Sequence, residues 1–118
     1  MIFADKTQLN RLFTNLLQNA LEACIAQERR VISISEELNH ETILIKVADN
    51  GEGIPQDMQS KIFTPNFTTK SSGTGLGLAM SKTIVEQAKG KIWFDTVEGE
   101  GTIFYVELPI LRASDQIS

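Results

Sequence analysis

Apolar residues in this chain change period twice, from helical to alternating, and that double switch limits the possible folds more than any other feature. From Thr7 to Ala26, Leu9, Leu12, Phe13, Leu16, Leu17, Ala20, Leu21 and Cys24 recur every three or four positions, which makes one broad stripe on a helix. From Val31 the period drops to two. Ile32 and Ile34 alternate with Ser33 and Ser35, Leu38 to Glu41 reads as a turn, and Ile43, Ile45 and Val47 alternate through Thr42–Asp49. That is an antiparallel hairpin with His40 as a solvated residue at its tip.

The cycle then repeats. Gly51, Gly53 and Pro55 break the second strand, a short helix is expected over Gln56–Lys61, and an irregular stretch runs to Gly73. Leu76, Met80, Ile84 and Ala88 lie four apart in a predicted helix from Leu76 to Lys89, with Gly90 as its stop. Ile92–Val97 and Thr102–Leu108 make a second hairpin, closed by Glu98-Gly99-Glu100-Gly101 and ended by Pro109. Asp5 is placed to accept from free amides at the first helix start, and Arg29 and Arg30 follow its end, where positive charge suits the helix dipole. Two helix–hairpin cycles predict an α+β fold, a two-layer sandwich, over residues 1–110, with 111–118 as a frayed tail.

Composition narrows the function classes. At 118 residues, 42% hydrophobic and 22% charged, the chain is one globular domain or part of one. No apolar run approaches a membrane span, and the N-terminus has no signal-peptide pattern. Cys24 is the single cysteine and His40 the single histidine, which excludes an internal disulfide and disfavours a zinc cluster. The net charge of −4 disfavours a nucleic-acid partner. Between Gln56 and Gly90, however, Lys61, Lys70, Lys82 and Lys89 face only Asp57 and Glu86. This locally basic segment could receive an anion or simply form a solvated helix face. Cys24 lies on the apolar stripe and reads as a buried thiol.

Chemistry concentrates at three glycine clusters and one row of amides. Gly73-Thr74-Gly75-Leu76-Gly77 runs directly into a helix, where freed backbone amides and the dipole make an anion site. It is neither a dinucleotide fingerprint nor a G-x-x-x-x-G-K-[ST] phosphate loop. Asp49-Asn50-Gly51-Glu52-Gly53 ends a strand, and Gly99-Glu100-Gly101 is accounted for by a hairpin turn alone. Asn15 and Asn19 stand one turn apart on the flank of the apolar stripe. Amides at the edge of a core bond either to nearby backbone or to a ligand, and an amide oxygen suits Mg²⁺, which needs only one or two protein ligands.

Five segments in order then carry a resemblance. They are Asn15-Leu16-Leu17-Gln18-Asn19-Ala20, Asp49 to Pro55, Ile62-Phe63-Thr64-Pro65-Asn66-Phe67-Thr68-Thr69-Lys70, Gly73 to Leu78, and Gly99 to Phe104. They resemble the N, G1, F, G2 and G3 boxes of the ATP-binding catalytic domain of bacterial sensor histidine kinases, in the GHKL superfamily. The lid sequence and the Asn19-Ala20-Leu21-Glu22-Ala23 helix look most like the nitrogen-regulation branch. Asn66 stands where the F box usually has phenylalanine. Glu22 stands where many relatives have lysine, although that branch often has glutamate there.

The resemblance implies a Bergerat fold, with helices on one face of a mixed, largely antiparallel sheet, and a site for ATP and Mg²⁺. It gives Asn19 as the Mg²⁺ ligand and Asp49 as the acceptor for the adenine amine. Gly51 and Gly53 would let backbone approach the base, beside Ala23 and Ile54. Phe63 and Phe67 would anchor a lid from about Phe63 to Ser72 that opens locally and orders on ATP. Thr68 and Thr69 would belong to the nucleotide site, Lys70 and the amides of Gly73, Thr74, Gly75, Leu76, Gly77 and Leu78 would hold the phosphates, and Thr102 would close the adenine pocket. Asn15 stands where hydrolytic relatives carry a glutamate base, and an amide cannot activate water. With Asn15, Asn19 and Lys70 as its catalytic set, the domain is expected to transfer the γ-phosphate to a histidine on a separate dimerisation domain, and so indirectly to a response regulator. The alternatives are a GHKL-type ATPase and a non-catalytic ATP-sensing module. The family domain usually has more strand residues before this helix, so the chain is expected to be a trimmed part of a longer kinase. Cytoplasmic, monomeric in isolation and without a matching acceptor histidine, it should not phosphorylate itself.

Overall fold

The computed structural model describes residues 6–24, 28–63 and 77–109. Helix α1 spans Lys6–Ala23, β1 Ile32–Leu38, β2 Thr42–Asp49, α2 Gly77–Gln87, β3 Lys91–Val97 and β4 Gly101–Pro109. Both hairpins form as the alternation predicts. The helix expected over Gln56–Lys61 is a single 3₁₀ turn, Gln56–Met58, followed by further turns. Asp5, the tail 111–118 and the end of the first predicted helix at Ala26 lie outside the described residues.

The strands form one sheet in the order β1-β2-β4-β3. Each hairpin contributes its own pair, and β2 joins β4, with Ile45 opposite Val106 and Val47 opposite Phe104. All three pairings among the described residues are antiparallel, so the parallel component of a mixed sheet is not found there. With period-2 alternation, Ile45, Val47, Phe104, Val106 and Leu108 face the helices, while Lys46, Trp93 and Tyr105 face away. Helices α1 and α2 pack side by side on the inner face, α1 over β2 and β4, α2 over β3. The core between the layers is Leu12, Leu16, Ala20, Ile62, Ile84, Val85 and Ala88 against those strand residues. Each fully buried aliphatic side chain contributes about 1.5–3 kcal/mol.

Two helix faces differ from the sequence reading. Leu21 belongs by spacing to the α1 stripe but is exposed, whereas Leu12, Leu16, Ala20 and Cys24 are buried. In α2 the four-residue row misplaces Met80, which is 37% exposed; the buried face is Ser81, Ile84, Val85 and Ala88. A strict spacing of four overshoots the 3.6-residue turn by about 40° per step, so a row extended over three turns leaves the core face. The α2 stop is also displaced by one residue. Lys89, not Gly90, takes the left-handed conformation (φ 64°). The Lys89 amide donates to Glu86 O (3.0 Å) and the Gly90 amide to Val85 O (2.8 Å), the paired bonds of a Schellman cap.

Candidate functional site

At one end of the sandwich a cavity of about 330 Å³ opens between the C-terminal half of α1, the loop after β2, the start of α2 and the β3–β4 turn. Its position follows from how β2 ends. Asp49 is the last residue of β2 and is buried, and its Oδ1 accepts from the Gly51 amide (2.9 Å), which turns the chain out of the sheet. Its Oδ2 is buried and makes no hydrogen bond among the described residues.

The loop that follows is tied on two sides. Toward α1, the Asn50 side chain accepts from the Val31 amide (2.9 Å) and from the Cys24 thiol (3.3 Å), and it donates to Arg29 O (2.7 Å). The Glu52 amide donates to Ala23 O (3.2 Å), which satisfies a carbonyl at the α1 terminus. Gly51 makes that approach possible, because a Cβ there would run into the Ala23 backbone. Toward the second hairpin, the Gly99 amide donates to Glu52 O (2.8 Å), the Ile54 amide to Thr96 Oγ1 (2.9 Å) and the Gln56 amide to Glu98 Oε1 (3.1 Å). Gly101 (φ 135°) starts β4 flush against the Asp49 carbonyl. The first and third glycine clusters are therefore interlocked, a role beyond the hairpin turn that accounts for the third alone.

Asn19, Ala23, Asp49, Gly53, Ile54, Leu78 and Thr102 all line the cavity. Thr102 stands opposite Asp49 across the β2–β4 ladder. Three expected residues are placed elsewhere. Asn15, one turn before Asn19 and half-buried, is not on the lining, and neither is Gly51, whose missing side chain admits Ala23. Phe63 packs into the core, its ring 6.0 Å from that of Phe94 and 6.4 Å from that of Phe104, with Lys82 Nζ 5.8 Å above it. Gly77 opens α2. Phe67, Thr68, Thr69, Lys70, Gly73, Thr74, Gly75 and Leu76, and with them the lid, lie outside the described residues. Cys24 is buried, and His40 is exposed between β1 and β2.

Sequence reasoning missed Glu52, Pro55, Met58, Ile62 and Glu98, which also line the cavity. Glu52 and Pro55 were within reach, because they sit inside the Asp49–Pro55 segment. Met58, Ile62 and Glu98 carry no local signal for a site.

The lining combines apolar side chains (Ala23, Ile54, Met58, Ile62 and Leu78) with the polar residues Asn19, Asp49, Glu52, Glu98 and Thr102. That is the usual composition of a small-molecule site, and the volume is adequate for one. An apolar slot with a carboxylate at its wall suits a flat heterocycle carrying an amine. No group of three or more His, Cys, Asp or Glu gathers among the described residues to hold a metal by itself.

The fold and cavity define a two-layer α+β domain with a site at one end of its sheet. The chain belongs to the histidine kinase-, DNA gyrase B- and HSP90-like ATPase family (HATPase_c), whose model matches residues 4–112. It is 40% identical over 110 residues to the sensor histidine kinase ZraS of Salmonella typhi, covering 93% of this chain and 23% of that protein. It is 34% identical over 115 residues to sporulation kinase E of Bacillus subtilis (strain 168), covering 98% and 15%. The solved catalytic domain of histidine kinase ThkA superposes with a TM-score of 0.78 at 38% identity, over 90% of this chain and 69% of that one. Within its family the chain is thus of the histidine kinase catalytic-domain type, an ATP-binding fold. It spans less than a quarter of the length of these two curated relatives.

Proposed function

We propose that this domain binds Mg·ATP in the cavity and hands the γ-phosphate to a histidine on a separate dimerisation domain of the same sensor kinase, from which it passes to a response regulator. The observation that carries the reading is the buried Asp49 carboxylate beside Thr102 at one wall of a cavity whose other wall is the Asn19 turn of α1. Asp49 accepts from the adenine amine, and a carboxylate that only accepts prefers that amine to the oxo group of guanine. Ala23, Ile54 and Leu78 supply apolar contact to the ring. Asn19 fits a magnesium ion, because its amide is on the cavity wall and Mg²⁺ takes few protein ligands beside water and phosphate. When bound, the ion neutralises phosphate charge. Lys70 and the amides of Gly73 to Leu78 hold the phosphate oxygens, and Asn15 supplies no base for water, which favours transfer over hydrolysis. The work of the chain is positioning. Such a domain acts in the cytoplasm, where ATP is, as a monomer when isolated, with neither nucleic acid nor membrane as a partner. No described helix is long and apolar enough to cross a membrane.

The test is titration calorimetry with ATP, with and without Mg²⁺, on the wild type and on Asn19→Ala. Mg²⁺ should tighten ATP binding to the wild type, and that gain should vanish in the variant while the circular dichroism stays native. A gain that survives the substitution removes Asn19 as the ligand. Added to the histidine-bearing domain of its parent kinase, the chain should transfer phosphate slowly, because the tether that raises effective concentration is missing. Rapid ATP turnover by the chain alone would place it among the ATPases instead.

A further inference from the structure

Thr96 lies on β3 outside the cavity lining, yet its hydroxyl contacts three groups that shape the cavity. It accepts from the Ile54 amide at 2.9 Å, lies 3.2 Å from the Gly101 carbonyl oxygen, and lies 2.9 Å from Thr102 Oγ1. We propose that Thr96 is a positioning residue that fixes the direction of the Thr102 hydroxyl, so that the Asp49 and Thr102 side chains both offer acceptors to the ring amine and select a purine bearing an amine over one bearing an oxo group. This rests on the adenine-nucleotide reading above and adds to it a determinant of specificity that does not touch the ligand.

Counting protons gives the direction. A hydroxyl has one proton to give and two lone pairs to receive. The Ile54 amide can only donate and the Gly101 carbonyl can only accept, so Thr96 receives from the first and gives its proton to the second. Its remaining lone pair is then open to Thr102, which donates. The opposite arrangement, with Thr96 donating to Thr102, takes that proton from the Gly101 carbonyl and leaves the Thr102 proton without a partner among the described residues. Thr102 is buried (4% exposed), and a buried unsatisfied polar group is costly.

With its proton committed to Thr96, Thr102 offers lone pairs alone to whatever enters. Asp49 stands directly opposite it in the β2–β4 register, and its carboxylate likewise accepts. An amine on the ring meets this wall favourably, whereas an oxo oxygen meets lone pairs with lone pairs.

The experiment measures the affinities of the whole chain for ATP and for ITP, which carries an oxo group in place of the ring amine and a proton on the ring nitrogen beside it. It compares the wild type with Thr96→Val, which keeps the shape and loses the hydroxyl, and with Thr96→Ser, which keeps the hydroxyl. The wild type should prefer ATP. Thr96→Val should lower that preference about tenfold, because the freed Thr102 proton now points at the ring, and Thr96→Ser should restore it. If thermal melting shows that the valine variant does not fold, Thr96→Ala, whose vacated space admits a water to the Ile54 amide, is read the same way. A wild type that prefers ATP, with the same preference in the folded hydroxyl-less variant, overturns the role of Thr96 and leaves the adenine reading standing. Equal loss of ATP and ITP affinity also overturns it, by marking Thr96 as structural only. A wild type that binds both nucleotides equally overturns the adenine reading, and this inference with it.

Discussion

Asp49 and Thr102 face each other across the β2–β4 ladder although 53 positions separate them in sequence, and both line the cavity beside the loop after β2 and the β3–β4 turn. The pairing needs two independent events. Asp49 Oδ1 must turn the chain at Gly51, and Gly101 must bring the start of β4 against the Asp49 carbonyl. A carboxylate buried at the end of a strand costs stability unless something uses it, so this position is where binding and folding requirements meet.

Replacing Asp49 by asparagine separates those requirements. The amide oxygen can still accept from the Gly51 amide, so the turn should survive and the melting temperature should change little. The other position becomes an NH₂ donor, which opposes the ring amine. ATP affinity should fall about ten- to a hundredfold, and the preference for ATP over GTP should disappear. Calorimetry on both nucleotides checks it, and an unchanged ratio would remove Asp49 from base recognition.

On the opposite face of the sheet, Trp93 and Tyr105 are cross-strand partners whose rings stack at 5.3 Å, with Lys46 Nζ 5.9 Å from the Tyr105 ring. The Tyr105 phenol is raised above its ordinary value of about 10, chiefly by its hydrogen bond to the Asp95 carboxylate, with partial burial and the Asp95 charge adding to it. A raised acid keeps its proton longer in the folded than in the unfolded chain. Its contribution to stability is therefore full below the unfolded value and is lost as pH rises through the folded one. Ultraviolet titration of the phenolate should show Asp95→Asn moving Tyr105 down toward the ordinary value. An unmoved titration midpoint would remove Asp95 as the cause.

The corrected face of α2 gives a stability comparison. Val85→Ala empties a fully buried site and should cost about 2 kcal/mol, whereas Met80→Ala on the exposed face should cost less than about 1 kcal/mol. Urea unfolding of the two variants checks it. Equal costs would return Met80 to the core face that its spacing suggested.

Val85 and Met80 also show where legibility stops. Both helices and both hairpins are encoded in local periodicity, so the sequence reading finds all of them, the four strands within a residue and α2 within two. Which side of a helix faces inward depends on accumulated phase, and there a fixed spacing of four fails at Met80. The site divides the same way. Asn19, Asp49, Gly53 and Thr102 are legible because they sit in motifs whose order resembles a known set. Met58 and Ile62 are not, because they carry no local signal, and neither are Glu98 and Thr96, which reach the site only when β4 lies between β2 and β3 and the second hairpin meets the loop after Asp49. A contact across 42 positions, such as Ile54 with Thr96, leaves no trace in the period of either segment.

Gly99 and Gly101 sit in the same turn and make the interlock directly testable. Both have positive φ, 82° and 135°. A Cβ on Gly99 would meet nothing within 4 Å, so Gly99→Ala should cost only the backbone preference, about 1 kcal/mol. A Cβ on Gly101 would collide with the Asp49 carbonyl oxygen and lie 3.1 Å from Asn50 Cα, both of them backbone atoms that can move only by displacing the end of β2. Gly101→Ala should therefore cost about 3 kcal/mol or more, and it should weaken ATP binding even where the protein remains folded, because Asp49 moves with its carbonyl. Urea unfolding and ATP titration of the two variants in parallel separate the effects. If Gly101→Ala matched Gly99→Ala in both measurements, the third glycine cluster would be a hairpin turn and nothing more.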